Sequence, residues 1–461
     1  MIRLYDSARA EVCALELRDP GRVSMYVCGP TVYDLPHIGH GRQTLVWDMA
    51  RRWFTFSGLD VHFVSNITDI DDNIINRAAR EHTSETAIAE RYEAEWWSAM
   101  GELGAGYPDD VPHATRYVGP MVELINELLA SGVAYQTSDG VYFDVARVAD
   151  YGLLAGQPLE SLRAGARVEA NDEKRSPLDF VLWKNAKPGQ PSWPAPFGEG
   201  RPGWHTECVV MSLGLLGEDF DLHCGGLDLR FPHHENERAQ AVALGRPFAR
   251  HWAHHGWVMV GEQKMSKSLG NFTSLTDLLA RTDPRAYRLL VLRSHYRSPI
   301  EVTPETIADA ERALARLDAM ARRFALPTLA RGRIERASAH PWDEVTAPLY
   351  RRFAERLDDD LNTPLAIAEL FDAVSAANAG ADRGDPLAPG LARAITVLFA
   401  ALGLSLGVAP DAPEAEATDL VERRDLARAR RDFTEADRLR DELVARGWTV
   451  EDSPTGTVIR R

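Results

Sequence analysis

The chain has 461 residues, 45% of them hydrophobic and 26% charged, which predicts a globular protein of two to four domains. No apolar run is long enough for a transmembrane helix or a secretory signal, so we expect a cytoplasmic protein with no membrane partner. Four cysteines in so long a chain argue against a disulfide framework, and the net charge of −16 argues weakly against nucleic-acid binding but is compatible with a local basic face.

The first hundred residues alternate between strand and helix patterns. We predict a buried strand at Val23–Pro30, a helix over about Leu35–Ser57, a second strand at Val61–Ile67 and a further helix from about Asp72. This order is typical of an α/β fold with a parallel sheet, in which ligands bind at the carboxyl ends of the strands.

The alternating pattern stops at about residue 113. Residues 113–200 contain a predicted helix, a short hairpin that turns at Asp139-Gly140, and a stretch rich in Pro, Gly and Trp. We interpret this segment as an insertion into the α/β domain.

The strand and helix patterns resume after the insertion. We predict a helix that carries Cys208, a strand at Asp219–Cys224, a helix that begins at Pro232 and a last strand at Trp257–Val260. A polar loop bounded by glycines follows the last strand.

Beyond Pro299 the chain is predicted to be helical, which suggests a helical bundle. The candidate helices span Pro304–Phe324, Trp342–Leu357, Pro364–Asn378 and Leu391–Leu402. The segment Gly407–Thr418 has the composition of a linker, and two short helices and a Pro-Thr-Gly turn follow it.

The motif GPTVYDLPHIGHGR, at Gly29–Arg42, connects the first predicted strand to its helix. A helix N-terminus presents unpaired N–H groups and a positive dipole end, which suit phosphate. His37 and His40 face one side of the helix and can donate to phosphate oxygens, while Gly39 lets a planar ring or a phosphate approach the backbone. The alternative is that the histidines only cap the helix, but the strand–turn–helix context favours phosphate binding.

A second motif, KMSKS, occupies Lys264–Ser268 in a loop bracketed by Gly261 and Gly270. Lys264 and Lys267 could neutralise charge that develops on a phosphate during nucleotidyl transfer. A lysine-serine loop is most often a solvated surface turn. Its position after a split α/β pattern headed by HIGH favours a function in catalysis.

Two cysteines, a histidine and a glutamate form the third candidate site. Cys28 ends the first strand, Cys208 lies on a predicted helix, and His233 and Glu237 are four residues apart on one helix face. Two thiolates, an imidazole and a carboxylate can bind zinc tetrahedrally, although spacing alone leaves open that the cysteines are ordinary buried residues. The alternative ligands are the neighbouring His205, Cys224, His234 and Glu235.

The HIGH and KMSKS motifs, in this order, resemble the signatures of the class I aminoacyl-tRNA synthetases. The blocks MYVCGPTVYD, WHTEC and FPHHENE are similar to those of the cysteinyl-tRNA synthetases within that class, and the similarity extends over nearly the whole chain. The resemblance implies an enzyme that activates L-cysteine with ATP as cysteinyl-adenylate, releases pyrophosphate, and transfers cysteine to the 3′ end of tRNA(Cys).

The resemblance also implies a domain plan with a Rossmann-type catalytic domain split by an insertion. The plan assigns residues 1–112 and 201–260 to the two halves of the catalytic domain, 113–200 to the connective insertion, 261–300 to the KMSKS loop and stem-contact region, 301–406 to the helical bundle and 417–461 to a small mixed anticodon-recognition domain. We expect the enzyme to be a monomer.

Residue roles follow from the same resemblance. The ligands of one zinc ion per chain are Cys28, Cys208, His233 and Glu237. The cysteine pocket is lined by Gly29, Thr31, Thr68 and Trp204, with His223 as a weaker candidate. ATP, bound with Mg²⁺, contacts His37, Gly39, His40, Gly226, Asp228 and Lys267. The catalytic residues are His37, His40, Lys264 and Lys267.

The chain departs from the family where most members have HGGGSD. Cys224 replaces a glycine and Leu227 replaces a small polar residue. The substitution makes Cys224 a possible competitor for the metal, and the sequence leaves its function open.

The C-terminal tail from Val421 contains ten arginines and nine acidic residues, so its net charge is +1. The arginines suit tRNA phosphates, although a helix pair with internal ion pairs explains the composition equally well. The resemblance makes this tail an anticodon-reading domain, in which Trp448 is a candidate for stacking on a base.

Two other functions remain open from the sequence. One is a cysteine ligase of mycothiol synthesis, which resembles the same family but uses an amino sugar as acceptor. The other is a catalytically inactive homologue that binds tRNA. The helical bundle and the DFTEADRLRDEL tail argue against the first, and the intact motifs and metal ligands argue against the second.

Overall fold

The computed structural model describes residues 1–157, 173–260, 263–264, 274–329, 335–407, 415–430, 432–446, 448–453 and 456–460. The chain divides into two compact units, Met1–Leu406 and Gly407–Arg461. None of the helices in the described ranges combines the length and the apolar character needed to cross a membrane.

The first part of the chain has the predicted strand–helix–strand order. Its elements are β1 (Arg3–Asp6), β2 (Glu11–Ala14), β3 (Arg22–Val27), α1 (Ile38–Phe56), β4 (Asp60–Ser65), α2 (Asp72–Glu81) and α3 (Glu85–Glu102). Strands β3 and β4 pair in parallel, so that Val27 lies opposite Ser65 at their carboxyl ends. The predicted strands and helices of this region are therefore confirmed, with α1 beginning three residues after the predicted start.

Helix α1 forms because apolar side chains recur every three or four residues along it. Leu45, Met49 and Trp53 are all buried against the sheet and the following helices. Gly58 has a φ of +100° and reverses the chain directly after the helix, which is a backbone conformation that L side chains rarely adopt.

The insertion contains more sheet than the sequence predicted. Its elements are α4 (Val118–Ala130), β5 (Ala134–Thr137), β6 (Gly140–Phe143), β7 (Phe180–Asn185) and β8 (Gly200–Pro202). The four strands form one antiparallel sheet in chain order, and the predicted hairpin is its first half. Strand β7 was not predicted, and β8 lies at the end of the predicted Pro/Gly/Trp-rich stretch, where it pairs with β7.

The second half of the α/β domain supplies two more strands to the parallel sheet. Its elements are α5 (Trp204–Leu216), β9 (Phe220–Gly226), α6 (Glu235–Ala243), β10 (Ala249–His255) and β11 (Val258–Val260). The sheet has the order β10-β9-β3-β4, and all of its neighbours pair in parallel. This topology confirms the predicted α/β class.

Strand β10 is the main correction to the predicted elements. Trp257–Val260 was predicted as the last strand of the sheet, but β10 holds that position. Strand β11 instead joins β12 (Gln263–Lys264) and β13 (Ile300–Glu301) in a separate three-stranded sheet. Strand β10 has the sequence ARHWAHH, whose three histidines are buried. A buried strand is usually predicted from a run of apolar residues, so this polar sequence did not indicate one.

Helices fill the remainder of the first unit. They are α7 (Leu275–Leu279), α8 (Pro284–Leu292), α9 (Pro304–Arg323), α10 (Thr346–Asp358), α11 (Thr363–Asp382) and α12 (Ala388–Ala401). The four predicted helices are confirmed to within a few residues at most of their ends. The largest apolar core is continuous between the sheet and this bundle, and the rings of Trp53 and Phe353 meet within it at a centroid distance of 5.8 Å.

The second unit has its own small core. Its elements are α13 (Ala415–Ala429), α14 (Phe433–Ala445), β14 (Thr449–Ser453) and β15 (Gly456–Arg460). The predicted linker extended to Thr418, but α13 already begins at Ala415. Leu420, Leu439 and Trp448 pack together in the core of this unit.

Candidate active site and metal centre

Four buried side chains meet where the carboxyl end of β3 lies against α5 and α6. The Sγ atoms of Cys28 and Cys208 lie 3.7 Å apart, and the Cys208 Sγ lies 3.7 Å from Nε2 of His233. Oε1 of Glu237 lies 3.5 Å from the Cys28 Sγ and 2.9 Å from Nε2 of His233. One ligand atom of each residue lies within 4.8 Å of all the others.

This arrangement fits a tetrahedral zinc ion. Zn–S bonds of about 2.3 Å at the tetrahedral angle require two sulfurs about 3.8 Å apart, which is close to the 3.7 Å between Cys28 and Cys208. The donor set is also one that zinc prefers, with two soft thiols, one imidazole and one carboxylate. All four residues are buried, so the cluster is shielded from water.

Two further histidines, His223 and His205, contact two of the four candidate ligands from outside the group. Nε2 of His223 lies 2.6 Å from Oε2 of Glu237, the carboxylate oxygen that does not face Cys28. Nδ1 of His205 lies 3.1 Å from Nδ1 of His233. Such outer contacts fix the orientation of metal ligands, so both histidines fit positioning residues better than direct ligands.

A second possible ligand group substitutes two histidines for Cys208 and His233. It comprises Cys28, His223, His234 and Glu237. In this group Nδ1 of His234 lies 2.9 Å from Nε2 of His254, and Nδ1 of His254 lies 2.7 Å from the hydroxyl of Ser7. His234 is therefore engaged in a hydrogen-bonded chain that leads away from the thiols, which favours the group with Cys208 and His233.

A third group, Asp6, Cys13 and His251, lies on the far side of β10. Nε2 of His251 accepts a hydrogen bond of 3.0 Å from the backbone N–H of Glu16, so the proton of the neutral ring is on Nδ1. Nδ1 is the atom that faces Cys13, at 3.8 Å. A protonated nitrogen is a donor and not a metal ligand, so this group is a hydrogen-bonded cluster.

The remaining alternative ligands face elsewhere. Glu235 accepts a 2.7 Å hydrogen bond from the backbone N–H of Leu154. Cys224 lies between Val27 and Ala253 in the sheet, and its side chain belongs to the apolar core against α1. Burial raises the pKa of the Cys224 thiol well above its usual range, as expected for an inert core cysteine. It joins none of the metal-binding groups among the described residues.

The two thiols of the candidate metal site differ in acidity. Burial opposes ionisation of Cys208, but hydrogen bonds from Cys28 and His233 outweigh it and lower the Cys208 pKa to about 6. Burial, together with Cys208 and Glu237, raises the pKa of Cys28 well above its usual range. One thiol of the pair is thus prepared as a thiolate, and a bound divalent cation would deprotonate the other.

The predicted cysteine-pocket residues surround this cluster. The backbone N–H of Gly29 donates to Oδ1 of Asn66 over 2.9 Å, and a Cβ on Gly29 would lie only 1.6 Å from the Asn66 carbonyl oxygen. Thr31 pairs with Thr68 in a parallel bridge that continues β3 and β4. The indole of Trp204 stacks on His233 with a centroid distance of 4.0 Å and is 39% exposed, so it lies at the rim of the site.

Sequence reasoning missed two polar residues of this pocket. Asn66 donates to the hydroxyl of Thr68 over 3.2 Å and also lies 3.7 Å from the Cys208 Sγ. The Thr68 hydroxyl in turn donates to the carboxyl group of Glu207. Burial raises the pKa of Glu207 well above its usual range. A buried asparagine in NITD and a buried glutamate in WHTEC were the available signals, because polar side chains in apolar segments need partners.

The HIGH motif caps α1 reciprocally. His37 is the N-cap residue, and its Nδ1 accepts from the backbone N–H of His40 over 3.2 Å. Nδ1 of His40 accepts from the backbone N–H of His37 over 3.3 Å, and the two rings stack with a centroid distance of 3.6 Å. Because each Nδ1 is an acceptor, the proton of each neutral ring is on Nε2. Both histidines therefore cap the helix, and the binding of phosphate at this helix N-terminus stays a prediction.

The other predicted nucleotide contacts lie at the end of the neighbouring strand β9. A Cβ on Gly226 would lie 2.4 Å from Oδ1 of Asp228 and 3.2 Å from Nε2 of His255, so the backbone here lies close to both side chains. Asp228 is exposed, and Gly39 is half-buried in the first turn of α1. Strands β9 and β3 pair directly, so these positions share the carboxyl edge of the sheet.

The two ends of the KMSKS loop are fixed to this region. Lys264 ends β12 and lies opposite Met259 of β11, whereas Lys267 lies outside the described residues. Where the description resumes, Ser274 forms an antiparallel bridge with His37, and the backbone N–H of Leu275 donates to the carbonyl of Pro36 over 2.9 Å. The chain that follows the loop therefore returns directly to the HIGH motif.

The expectation that Trp448 stacks on a base is wrong. Its indole is only 3% exposed and fills the core of the second unit, so no base can reach its face. Among the described aromatic residues of this unit, Phe433 is 63% exposed at the start of α14.

Family models match three consecutive parts of the chain. Residues 14–312 match the class I (C) tRNA synthetase catalytic domain, and residues 352–409 match a DALR domain. Residues 409–460 match the cysteinyl-tRNA ligase anticodon binding domain.

Individual proteins resemble the chain over its full length. The cysteine–tRNA ligases of Chromobacterium violaceum and Alkalilimnicola ehrlichii are each 44% identical to it, and each alignment covers 100% of both chains. Among solved structures, methionyl-tRNA synthetase of Mycobacterium tuberculosis with methionyl-adenylate matches 82% of this chain and 88% of its own, with a TM-score of 0.61 and 16% identity. The Agrobacterium radiobacter K84 agnB2 LeuRS, in a ternary complex with tRNA and LeuAMS, matches 84% of this chain and 85% of its own, with a TM-score of 0.62 and 12% identity. These two structural likenesses show the fold.

Proposed function

The chain belongs to the cysteinyl-tRNA synthetases of class I, and from this premise we propose how its residues select, activate and transfer cysteine. The enzyme is a cysteine–tRNA ligase. It joins the cysteine carboxylate to the α-phosphate of ATP, releases pyrophosphate, and passes the cysteinyl group to the 3′ end of tRNA(Cys). The observation that supports our proposal most directly is the buried group Cys28, Cys208, His233 and Glu237 beside the predicted cysteine pocket.

We assign the recognition of the substrate thiol to this group. A zinc ion held by the four side chains supplies a soft Lewis acid that favours a thiol strongly over a hydroxyl. Shape alone separates cysteine from serine poorly, since the two differ by one atom and pockets discriminate such near-isosteres by about 1–3 kcal/mol. Among the four residues Glu237 offers the hardest donor atom, and Nε2 of His223 lies 2.6 Å from its second oxygen, so His223 would orient this carboxylate toward a bound zinc ion.

The other pocket residues orient the amino acid. Gly29 keeps the backbone close to Asn66, which leaves the Gly29 segment no room for a side chain. Trp204 covers His233 from the solvent side and excludes water from the imidazole. Thr68, held between Asn66 and Glu207, presents a fixed hydroxyl next to the thiols. Together they hold the substrate with its carboxylate directed to the start of α1.

The adenylation step belongs to the N-terminus of α1 and to the lysine loop. His37 and His40 direct Nε2–H donors to the phosphates, and the helix dipole adds positive potential there. Lys264 and Lys267 neutralise the charge that builds on the leaving pyrophosphate. Gly39, Gly226 and Asp228 bind the adenosine part of ATP, which enters with Mg²⁺.

Zinc binding and cysteine selection are tested together in one purified sample. We expect cysteine-dependent ATP–pyrophosphate exchange, charging of unfractionated tRNA with labelled cysteine, and close to one zinc per chain. Serine in place of cysteine should support at most a trace of exchange. Zinc-edge absorption should gain one sulfur neighbour when cysteine is added. If no sulfur enters the zinc shell, the metal is structural and the selection mechanism is wrong.

The assignments outside the active site complete the proposal. The second unit reads the anticodon, since its residues 409–460 match an anticodon binding domain. Residues 113–200 are the connective insertion, and the enzyme acts as a monomer in the cytoplasm, where tRNA is charged. The anticodon domain argues against an amino-sugar acceptor, which would need no such unit. Light scattering of the purified enzyme, with and without tRNA, tests the monomer assignment.

A further inference from the structure

A group of polar side chains outside the active site lies around the thiol of Cys13 in β2. It consists of Asp6, Arg9, Cys13 and His251, which we call the Cys13 cluster. None of these residues belongs to the candidate metal, cysteine or ATP sites. Cys13 is partly exposed, whereas the other three cysteines of the chain are at most 2% exposed. A reagent in solution therefore reaches Cys13 before any other thiol of the protein.

Two N–H groups are directed at the Cys13 sulfur. Nη1 of Arg9 donates to Sγ over 3.4 Å, and Nδ1 of His251 lies 3.8 Å from Sγ. Burial lowers the pKa of His251, so the ring is neutral, and its proton is on Nδ1 because Nε2 accepts from the backbone N–H of Glu16. Both donors stabilise negative charge on the sulfur, and the thiolate is the nucleophilic form of cysteine.

A buried carboxylate oxygen of the same cluster lacks a hydrogen-bond donor. Asp6 is 1% exposed, and its Oδ1 accepts from the backbone N–H of Ala8 over 2.8 Å. Its Oδ2 accepts no hydrogen bond from the residues that the structure describes, and it lies 3.6 Å from Nε of Arg9 and 3.8 Å from Nδ1 of His251. The Asp6 carboxylate also lies within 4.8 Å of the Cys13 sulfur. A buried acceptor without a donor costs free energy, so Oδ2 suits a donor that is added within the cluster.

An oxygen atom bonded to the sulfur would supply the donor that Oδ2 lacks. A sulfenic acid, Cys–SOH, carries one hydroxyl, which donates a hydrogen bond at about 2.7 Å and accepts another at the same time. In the Cys13 cluster this hydroxyl would donate to Asp6 and accept from Arg9. A mixed disulfide or an alkylated sulfur carries no hydrogen at this position and would leave Oδ2 without a donor. The cluster therefore matches the first oxidation product of a thiol.

We propose that Cys13 is a site of reversible oxidation by hydroperoxides, whose sulfenic acid is held by Arg9 and Asp6. The sulfur attacks one oxygen of hydrogen peroxide, so that an S–O bond forms and the O–O bond breaks. The sulfur is oxidised by two electrons, and the released hydroxide takes up the thiol proton and leaves as water. Two low-molecular-mass thiols reduce the sulfenic acid, which restores Cys13 and releases water and a disulfide. The inference does not depend on the proposed function.

The first test locates the oxidised residue. The full-length enzyme is treated with a small excess of hydrogen peroxide in the presence of dimedone, which labels sulfenic acids, and the label is located by mass spectrometry. We expect one label per chain, at Cys13, and none in the variant Cys13→Ser. The buried Cys28 and Cys208 should remain unlabelled. The inference is wrong if no cysteine is labelled, or if Cys28 or Cys208 is labelled as fast as Cys13.

Two variants separate the formation of the sulfenic acid from its stabilisation. Arg9→Gln removes a donor to the sulfur and should slow formation at least about threefold. Asp6→Asn removes the carboxylate acceptor and should shorten the lifetime of the sulfenic acid at least about threefold. It should not slow formation, because the lost negative charge no longer opposes the thiolate.

The control for both variants is Asp19→Asn, which removes an exposed carboxylate that pairs with Arg18 and should change neither rate. Thermal unfolding checks that each variant folds. The Arg9 side chain is 42% exposed, so Arg9→Gln keeps the test decisive if Asp6→Asn unfolds. A folded variant of Arg9 or Asp6 that matches the control in its own measurement would show that Cys13 is an ordinary exposed thiol, and the inference would be wrong.

Discussion

At the scale of single residues, two cysteines on adjacent strands have opposite environments. Cys28 follows β3 and faces Cys208, whereas Cys224 lies in β9 and faces the apolar core against α1. Successive side chains of a strand point to opposite sides of the sheet, so His223 takes the metal side and Cys224 the other. A cysteine in place of a glycine at position 224 is therefore accommodated as a core residue.

These two environments predict different results for two similar substitutions. Cys208→Ser should reduce the zinc content to well below one per chain and abolish cysteine-dependent exchange, because a hydroxyl is a poor zinc ligand. Cys224→Ala should keep the zinc and lower the free energy of unfolding by about 1 kcal/mol, the effect of a small core truncation. Metal analysis and thermal unfolding of both variants check this. Loss of zinc from Cys224→Ala would show that Cys224 is a ligand.

The sequence predicted the four candidate ligands but not the side chains that hold them. Cys28, Cys208, His233 and Glu237 belong to short motifs whose residue types suit a metal, and such motifs can be recognised without coordinates. The contacts of His223 with Glu237 and of Asn66 with Cys208 join separate elements of the fold, and no local sequence pattern encodes them. The burial of Trp448 is of the same kind, because it depends on how two short helices pack.

At the scale of secondary structure elements, the start of α1 combines a structural and a catalytic function in the same two rings. Nδ1 of His37 and of His40 caps the helix, so the proton of each neutral ring is on Nε2. A cap stabilises a helix by about 1 kcal/mol, whereas a donor aimed at developing negative charge accelerates a reaction by about 100-fold or more. The two contributions can therefore be separated by substitution.

We predict that His37→Asn lowers the rate of adenylate formation about 100-fold while the free energy of unfolding stays within about 0.5 kcal/mol. Asparagine is a good N-cap residue, so its side-chain oxygen can accept from the backbone N–H of His40, but it cannot replace the Nε2 donor. His37→Ala should lose both contributions and unfold about 1 kcal/mol more easily. Exchange kinetics and chemical denaturation provide the comparison. Full activity in His37→Asn would limit His37 to capping.

A second link between elements is the buried carboxylate of Asp48. It accepts hydrogen bonds from Arg52 over 2.9 Å and from Arg288 of α8 over 2.7 Å, and its other oxygen accepts from the backbone N–H of Gly106 over 2.8 Å. Burial opposes the charge on Asp48, but Arg288 and Arg52 outweigh it and lower the Asp48 pKa. The carboxylate thus holds α1, α8 and the loop after α3 together.

Asp48→Asn should destabilise the enzyme by about 3 kcal/mol, because two buried guanidinium groups lose their countercharge. The matched substitution Asp382→Asn, in the exposed pair with Arg323, should change stability by less than about 1 kcal/mol. The unfolded chain binds a proton at Asp48 more readily than the folded one, so the stability from Asp48 is lost as the pH falls. Denaturant titrations at pH 7 and at acidic pH test both statements, and equal effects of the two substitutions would contradict them.

Helices and strands were predicted correctly where their hydrophobic residues recur with the period of that element. Helix α1 and strands β3 and β4 have the expected periodicity, and the sequence placed them within three residues. Strand β10 was missed because it buries three histidines. His251 pairs with the backbone of Glu16 after β2, and His254 with Ser7 after β1 and with His234 before α6. A buried histidine needs a hydrogen-bond partner, and that partner can lie far away in the sequence. The hydropathy pattern of the strand itself therefore does not predict its burial.

At the scale of the whole molecule, the two compact units differ in how independent their cores are. The largest core of the first unit includes α1, the parallel sheet and the helices α9–α12 without interruption, so the bundle cannot be removed without exposing the sheet. The second unit begins at Gly407, the first residue of the predicted linker, and its core contains only its own residues. Composition indicated this division because Pro, Ala and Glu replace apolar residues there.

A chain that ends at Leu406 should therefore fold and retain cysteine-dependent ATP–pyrophosphate exchange close to that of the full enzyme. All described residues of the metal and cysteine sites precede this point. Charging of tRNA(Cys) should fall at least about tenfold in kcat/KM, since loss of the anticodon contacts weakens binding of the tRNA in its reactive position. Circular dichroism and thermal unfolding of the shortened chain provide the control for folding. Undiminished charging would show that the second unit does not read tRNA, whereas loss of exchange in a folded chain would show that this unit supports the catalytic domain.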